Sequence, residues 1–235
     1  MFSAAGATPL KVISSMATRQ LLGDLVDAYR RETGAHVEVV SMGGVEAARR
    51  VLDGEPFDVV VLAADAIARL VAARRVEPSS RVDLVRSGIA VAVRQDAVPP
   101  AIGDEAAVRR AVTNARAVGY STGPSGAHVL KLLEGWGIGA CSSMPRVVQA
   151  PPGVPVGSLV ASGEVDIGFQ QLSELMHVSG ITVVGPLPPD IQATTVFAAA
   201  ICETTTRRDD ARALIAFLAS PAARDAKLNH GMEPA

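Results

Sequence analysis

Three stretches of this chain combine residue types that suit anion binding. Each passes from an apolar, β-type run through a Ser/Gly turn into an amphipathic helix. Leu10-Lys11-Val12-Ile13 leads through Ser14-Ser15-Met16 into a helix from Ala17. Val37-Glu38-Val39-Val40 leads through Ser41-Met42-Gly43-Gly44 into a helix from Val45. Ala117-Val118-Gly119-Tyr120 leads through Ser121-Thr122-Gly123-Pro124-Ser125-Gly126 into a helix from Ala127. A helix N-terminus carries unpaired N–H groups and about half a positive charge. Ser and Gly let a ligand approach those groups closely. Three such ends aimed at one point would hold an anion without a formal positive charge.

Other reactive chemistry is sparse. His36, His128, His177 and His230 are scattered, with no metal-ligand spacing. Cys141 and Cys202 allow one disulfide at most and read as unpaired structural thiols. No G-x-S-x-G nucleophile motif occurs. No metal and no cofactor is expected. If the chain moves protons, His128 and Tyr120 are the available groups, although a histidine here is more often structural.

The bulk composition narrows the function classes. At 235 residues and 49% hydrophobic, the chain can bury one large core or two smaller ones. Aromatic residues make up 3%, with Trp136 the single tryptophan, and net charge is −2. These argue against a nucleic-acid partner. No apolar run reaches 18 residues, so no membrane-spanning segment is expected. Residues 1–9 are too short and uncharged for a secretory signal. The protein is therefore cytoplasmic, or else periplasmic or extracellular after removal of a leader.

The elements that must position the junctions alternate strand and helix. Residues 9–75 read as βαβαβα, which implies a parallel sheet covered by helices. Leu21, Leu22, Leu25, Val26 and Tyr29 line one face of the first helix. Val45, Ala48, Val51 and Leu52 are expected inward on the second, with Gly54 closing it. Phe57 to Leu62 reads as a strand buried on both faces, followed by a helix capped by Asp65. Gly88 to Arg94 is a further strand, and Asp104 caps the next helix. Strands follow at Arg146–Gln149, Val165–Phe169, Ile181–Val184 and Thr195–Cys202. A helix at Asp209–Leu218 and one capped at Ser220-Pro221 close the chain. No internal repeat stands out beyond the shared junction design.

Several strings resemble the periplasmic molybdate-binding protein family, which has the two-lobed solute-binding fold. Ser14-Ser15-Met16 stands where that family has Ala-Ser-Leu. Phe57-Asp58-Val59-Val60-Val61 with Ala64-Asp65 is similar to its Ala-Asp-Leu-Phe-Ile-Ser-Ala-Asp. Val165-Asp166-Ile167-Gly168-Phe169 with Ser173-Glu174 resembles its stretch ending Tyr-x-Ser-Asp. Ala213–Pro221 resembles its closing helix pair. The resemblance covers nearly the whole chain. It implies two α/β lobes, each a mostly parallel sheet flanked by helices. Residues 1–85 plus 198–235 would form lobe I and 86–197 lobe II, with crossovers near Val85–Gly88 and Thr195–Ala198. Ligand would sit in an interlobe cleft at the carboxyl ends of the strands and be enclosed by hinge closure.

Departures from that family set the expected ligand. Gly43-Gly44 replaces a second serine pair, Gln171 preceded by Gln170 replaces a ligand-binding Tyr, and His128 stands about where another Tyr falls. The pocket is roomier than a tetrahedral oxyanion needs, so an organic carboxylate is favoured over molybdate. The ligand-binding residues expected are Ser14, Ser15, Met16, Gly43, Gly44, Arg86, Ser121, Ser125, Gly126, Val154, Gln170 and Gln171. For each the alternative is structural: capping for the serines, turn geometry for the glycines, a neighbouring loop for the glutamines, solvation for Arg86. The function expected is a monomeric solute-binding protein for ABC-type uptake of a small anion, with a membrane permease as partner if exported. The alternative is an isomerase on the same scaffold. Aconitate isomerase is similar in sequence to the molybdate-binding family, and its tricarboxylate substrate would suit a glycine-widened pocket and Arg86. A cytoplasmic ligand-sensing module is a third, weaker reading.

Overall fold

The computed structural model describes residues 8–139 and 145–235. Cys141 and the first seven residues, read above for a disulfide and a leader, lie outside the described residues. In chain order the elements are β1 (Leu10–Ser15), α1 (Arg19–Thr33), β2 (Val37–Met42), α2 (Gly44–Leu52), β3 (Val59–Ala63), α3 (Ala64–Ala72) and β4 (Val82–Arg94). They continue with α4 (Glu105–Asn114), β5 (Ala117–Tyr120), α5 (Pro124–Gly135), β6 (Arg146–Gln149), α6 (Val156–Ala161), β7 (Ile167–Gln171), α7 (Leu172–Leu175) and β8 (Ile181–Pro186). Last come β9 (Thr194–Ile201), α8 (Arg208–Ala219), α9 (Arg224–Asn229) and β10 (Glu233–Pro234). The chain is α/β and divides into two compact units. One comprises residues up to Val85 together with Val196–Ala235, and the other is Arg86–Thr195.

In the first unit the strands lie in the order β2-β1-β3-β9. The first three are parallel and β9 is antiparallel to β3. All five residues of β3 are buried, so it lacks the polar alternation of a half-exposed strand. Val59 and Val61 pack toward Leu22, Leu25 and Tyr29 of α1 and Leu214 and Leu218 of α8. Val60 and Leu62 pack on the other side with Ala47, Val51, Ile67 and Leu70. The five residues expected on the inner face of α1 are its buried residues. Each fully buried Val or Leu contributes about 1.5–3 kcal/mol.

The second unit has the order β8-β4-β7-β5-β6. Strands β7, β5 and β6 are parallel, and β4 is antiparallel to β7 and β8. Its β6-β5-β7-β4 core thus reproduces the β2-β1-β3-β9 order of the first unit. The repetition extends to a side-chain staple. Asp58 Oδ2, just before β3, accepts the Lys11 N–H at 2.7 Å. Asp166 Oδ2, just before β7, accepts the Arg116 N–H at 2.7 Å. A βαβαβα plan therefore occurs twice, although the primary structure repeats visibly only at the junctions.

Three local expectations are corrected. Val45 and Leu52 are 70% and 38% exposed, and Ala47 takes the inward place with Val51. At about 100° per residue, Val45 lies about 200° around the helix from Ala47. Asp65 does not cap α3, because β3 runs directly into the helix and Ala63 is the cap residue. Its Oδ1 instead accepts the Ala66 N–H at 2.9 Å. Ser220 makes no side-chain cap, and its buried hydroxyl has no partner among the described residues.

Candidate functional site

Parallel pairing brings the first two junctions together. The register Ser14↔Ser41 and Ser15↔Met42 places the carboxyl ends of β1 and β2 side by side. Ser14 is fully buried and its Oγ lies 2.7 Å from Ser41 Oγ, so each hydroxyl serves the other. Ser15 differs. It is 6% exposed, and among the described residues its Oγ has no hydrogen-bond partner. It precedes a short 3-10 turn, Met16–Thr18, that delays α1 to Arg19, and it does not cap that turn. Met16 is half-buried at the same corner.

Helix α2 opens against Ser15. A Cβ placed on Gly44 would lie 3.7 Å from Ser15 Cβ. The N-cap Gly43 has no side chain to satisfy the helix start, and its carbonyl receives the first helical bond, from the Ala47 N–H. The N–H groups of Gly44, Val45 and Glu46 thus have no intrahelical acceptor. A buried, unpartnered hydroxyl and a bare helix N-terminus share one corner. Both donate, so the corner suits an acceptor-only group such as a carboxylate.

The second unit is more fully satisfied. Ser121 Oγ and Ser125 Oγ are 3.0 Å apart and buried. A Cβ on Gly126 would fall 1.6 Å from the Ser121 carbonyl oxygen, so glycine is required for α5 to start beneath that turn. The Tyr120 carbonyl accepts the Ala150 N–H at 2.8 Å. His128 Nε2 lies 2.8 Å from the Ile191 carbonyl oxygen, which makes it the donor and fixes the ring. Val154 is 39% exposed, and its N–H bonds to the Pro151 carbonyl at 3.0 Å. Arg86 is exposed and forms no ion pair among the described residues.

Both glutamines are buried at 2% exposure and engaged. Gln171, with its amide turned to match its neighbours, donates to Ser87 Oγ at 3.0 Å and the Ser87 carbonyl at 3.1 Å. It accepts from Thr195 Oγ1 at 2.8 Å. Gln170 Oε1 accepts the Val156 N–H that opens α6, at 2.8 Å, and its Nε2 donates to Glu174 Oε1 at 2.8 Å. Glu174 was not among the residues expected in the site. Burial pushes its pKa up to about 7, against the opposing hydrogen bond from Gln170. Beside it, Ser173 Oγ is buried without a partner among the described residues. Gln192 was also missed. It bonds both the N–H and the carbonyl of Ile89, at 2.8 and 3.0 Å. Cys202 is a buried free thiol raised to about 12 by burial, with the Asp58 charge a smaller cause. Among the described residues no cluster of His, Cys, Asp and Glu has metal-binding geometry, and no helix is long and apolar enough to cross a membrane.

Comparison with known proteins adds to this geometry. A sequence profile described as bacterial extracellular solute-binding protein matches residues 10–233. An aconitate isomerase from a Pseudomonas species is 36% identical over 239 residues, spanning 100% of this chain and 91% of that protein. Among solved structures, the periplasmic molybdate-binding protein of Azotobacter vinelandii superposes with a TM-score of 0.76 at 21% identity, over 95% of this chain and 98% of that one. The sulfate-binding protein SubI of Mycobacterium tuberculosis gives 0.78 at 16% identity, over 97% and 87%.

Proposed function

Since the chain belongs to the bacterial extracellular solute-binding proteins, we propose that it binds a small organic polycarboxylate, of the aconitate class, outside the cytoplasmic membrane. The observation that carries this reading is the unpartnered Ser15 hydroxyl beside the bare start of α2. A buried hydroxyl left unsatisfied costs about 1–3 kcal/mol, which a bound carboxylate oxygen would relieve. A helix end adds about 0.3–1 kcal/mol toward an anion. Gly43 and Gly44 bring no side chain to that corner, where a Cβ on Gly44 would lie 3.7 Å from Ser15 Cβ. The family also supports a membrane permease as partner.

Titration calorimetry with cis-aconitate, trans-aconitate, tricarballylate, molybdate and sulfate tests the proposal. Micromolar binding of the tricarboxylates is expected. Tight molybdate binding with no response to any carboxylate would overturn it.

A second reading, turnover of the same ligand, is favoured by the full-length likeness to an aconitate isomerase and by a carboxyl group held near neutrality in the second unit. Incubation with trans-aconitate, followed by proton NMR, would reveal the cis isomer if this reading holds.

A further inference from the structure

The first turn of α2 contains an acid that does not serve its own helix start. Gly43 is the N-cap and Glu46 the third helical residue. In a capping box, a Glu at that place turns back and its carboxylate accepts the N-cap N–H. Here both carboxylate oxygens are taken by Arg49. Its Nε donates to Oε2 at 3.0 Å and its Nη2 to Oε1 at 2.7 Å, a bidentate fork. Arg49 Nη1 in turn donates to Asp53 Oδ2 at 3.0 Å, one turn further along. Glu46, Arg49 and Asp53 thus form a row at i, i+3 and i+7 on the solvent side of α2, away from the buried Ala47 and Val51. The Glu46 and Arg49 side chains are 44% and 61% exposed, so their pair contributes little to stability. Its effect lies in where it keeps the carboxylate.

Helix α3, in the same unit, shows the alternative. Asp65 is its second residue, and Arg69 follows four places on. Only Oδ2 goes to Arg69, at 3.2 Å, while Oδ1 accepts the Ala66 N–H of the helix start at 2.9 Å. A carboxylate oxygen left over in the first turn therefore goes to the helix's own N–H groups. At α2 none is left over, and the N–H groups of Gly44, Val45 and Glu46 stay available beside Ser15. Alternation along β1 puts Ser15 on the face of Ile13, which packs with Ala47 and Val51 of α2. The Ser15 hydroxyl, 6% exposed and unpartnered among the described residues, thus lies on the side where α2 opens.

We infer that Arg49 is a positioning residue for the anion site: it holds Glu46 off the start of α2, so that the N–H groups there meet a ligand carboxylate rather than the protein's own. This rests on the proposal that the Ser15 corner takes a carboxylate. Released from Arg49, Glu46 reaches back as an internal competitor for those donors. Its charge, no longer matched by the guanidinium, also repels the incoming anion. Both effects act on affinity, and neither touches the core.

Calorimetry with trans-aconitate on wild type, Arg49→Met and the double variant Glu46→Gln/Arg49→Met provides the test, together with amide NMR of the ligand-free proteins between about pH 3 and 6, where a carboxyl titrates. Arg49→Met should bind about 3–5-fold more weakly, and the double variant should restore the affinity. In ligand-free Arg49→Met the amide signals of Gly43 and Gly44 should shift as Glu46 titrates, and in wild type they should not. Equal affinity of wild type and Arg49→Met would overturn the inference. A loss that persists in the double variant would do the same, since it would make Arg49 a merely structural residue. Amide signals that stay still in Arg49→Met, with wild-type binding intact, would overturn the inference and leave the carboxylate reading standing. Wild type that binds no carboxylate would overturn that reading and the inference with it.

Discussion

Replacing Glu174 with glutamine should leave stability nearly unchanged at pH 4.5 and raise it markedly at pH 8. The folded carboxyl titrates at about 7, against 4.5 for the ordinary group, chiefly because burial disfavours its charge. The raised value sets the sign. Below pH 4.5 the proton is bound in both folded and unfolded chains, and the buried group imposes no penalty. As pH rises from 4.5 to 7 the unfolded chain releases its proton first, so the folded state loses stability. Above 7 the loss is complete and constant. The difference between about 7 and 4.5, at about 1.4 kcal/mol per pH unit, amounts to about 3 kcal/mol. Glutamine keeps an oxygen for the Gln170 amide and never ionises. Thermal melting of both proteins at intervals from pH 4.5 to 8 reads the effect. At about 2–4 °C per kcal/mol for a chain of this size, the gap should open from near zero to about 6–12 °C. Subtracting the two curves removes every titration they share. A gap that stays constant with pH would refute the claim that Glu174 is held protonated by its surroundings.

Ser15→Ala should fold at least as well as wild type, because it removes a buried hydroxyl without a partner. It should lower affinity for trans-aconitate about 10–100-fold by calorimetry, the value of about 1.5–3 kcal/mol for a hydrogen bond to a charged group. Ser14→Ala breaks the pair with Ser41 instead and should melt lower, with a loss of about 1 kcal/mol. Gly126→Ala forces a methyl against the Ser121 backbone and should lower the melting temperature by an amount equivalent to about 2 kcal/mol or more. Asp58→Ala leaves the Lys11 N–H and the Thr205 hydroxyl without their acceptor, and urea denaturation should show a loss of about 2–4 kcal/mol.

Much of the fold was legible along the chain because its cause is local. The inner face of α1 follows from 3.6-residue spacing, and the five residues read from it are those buried. The apolar run Phe57–Leu62, broken only by Asp58, announced a strand covered on both sides, and the strand formed is Val59–Ala63. Where the reading failed, tertiary contact overrode pattern. Val45 is as apolar as Val51, but Ala47 fits the space against the sheet and turns Val45 to solvent. Asp65 looks like a cap, yet β3 leaves no spacer before α3.

Residue types and spacing by themselves determined that this chain is α/β, that Ser/Gly turns precede its helices, and that the second turn carries a glycine pair, Gly43-Gly44. Those features depend on neighbours within a few residues. They do not distinguish Ser14 from Ser15, which stand side by side with the same side chain. Only the register of β1 against β2 does so, by giving Ser14 a partner in Ser41 and Ser15 none. The role of Gln170 likewise depends on α6, whose first N–H lies 14 residues back in the chain, and the proton affinity of Glu174 depends on what is packed around it. Hydrogen-bond satisfaction and desolvation are properties of a surrounding, and the surrounding exists only once distant segments have packed.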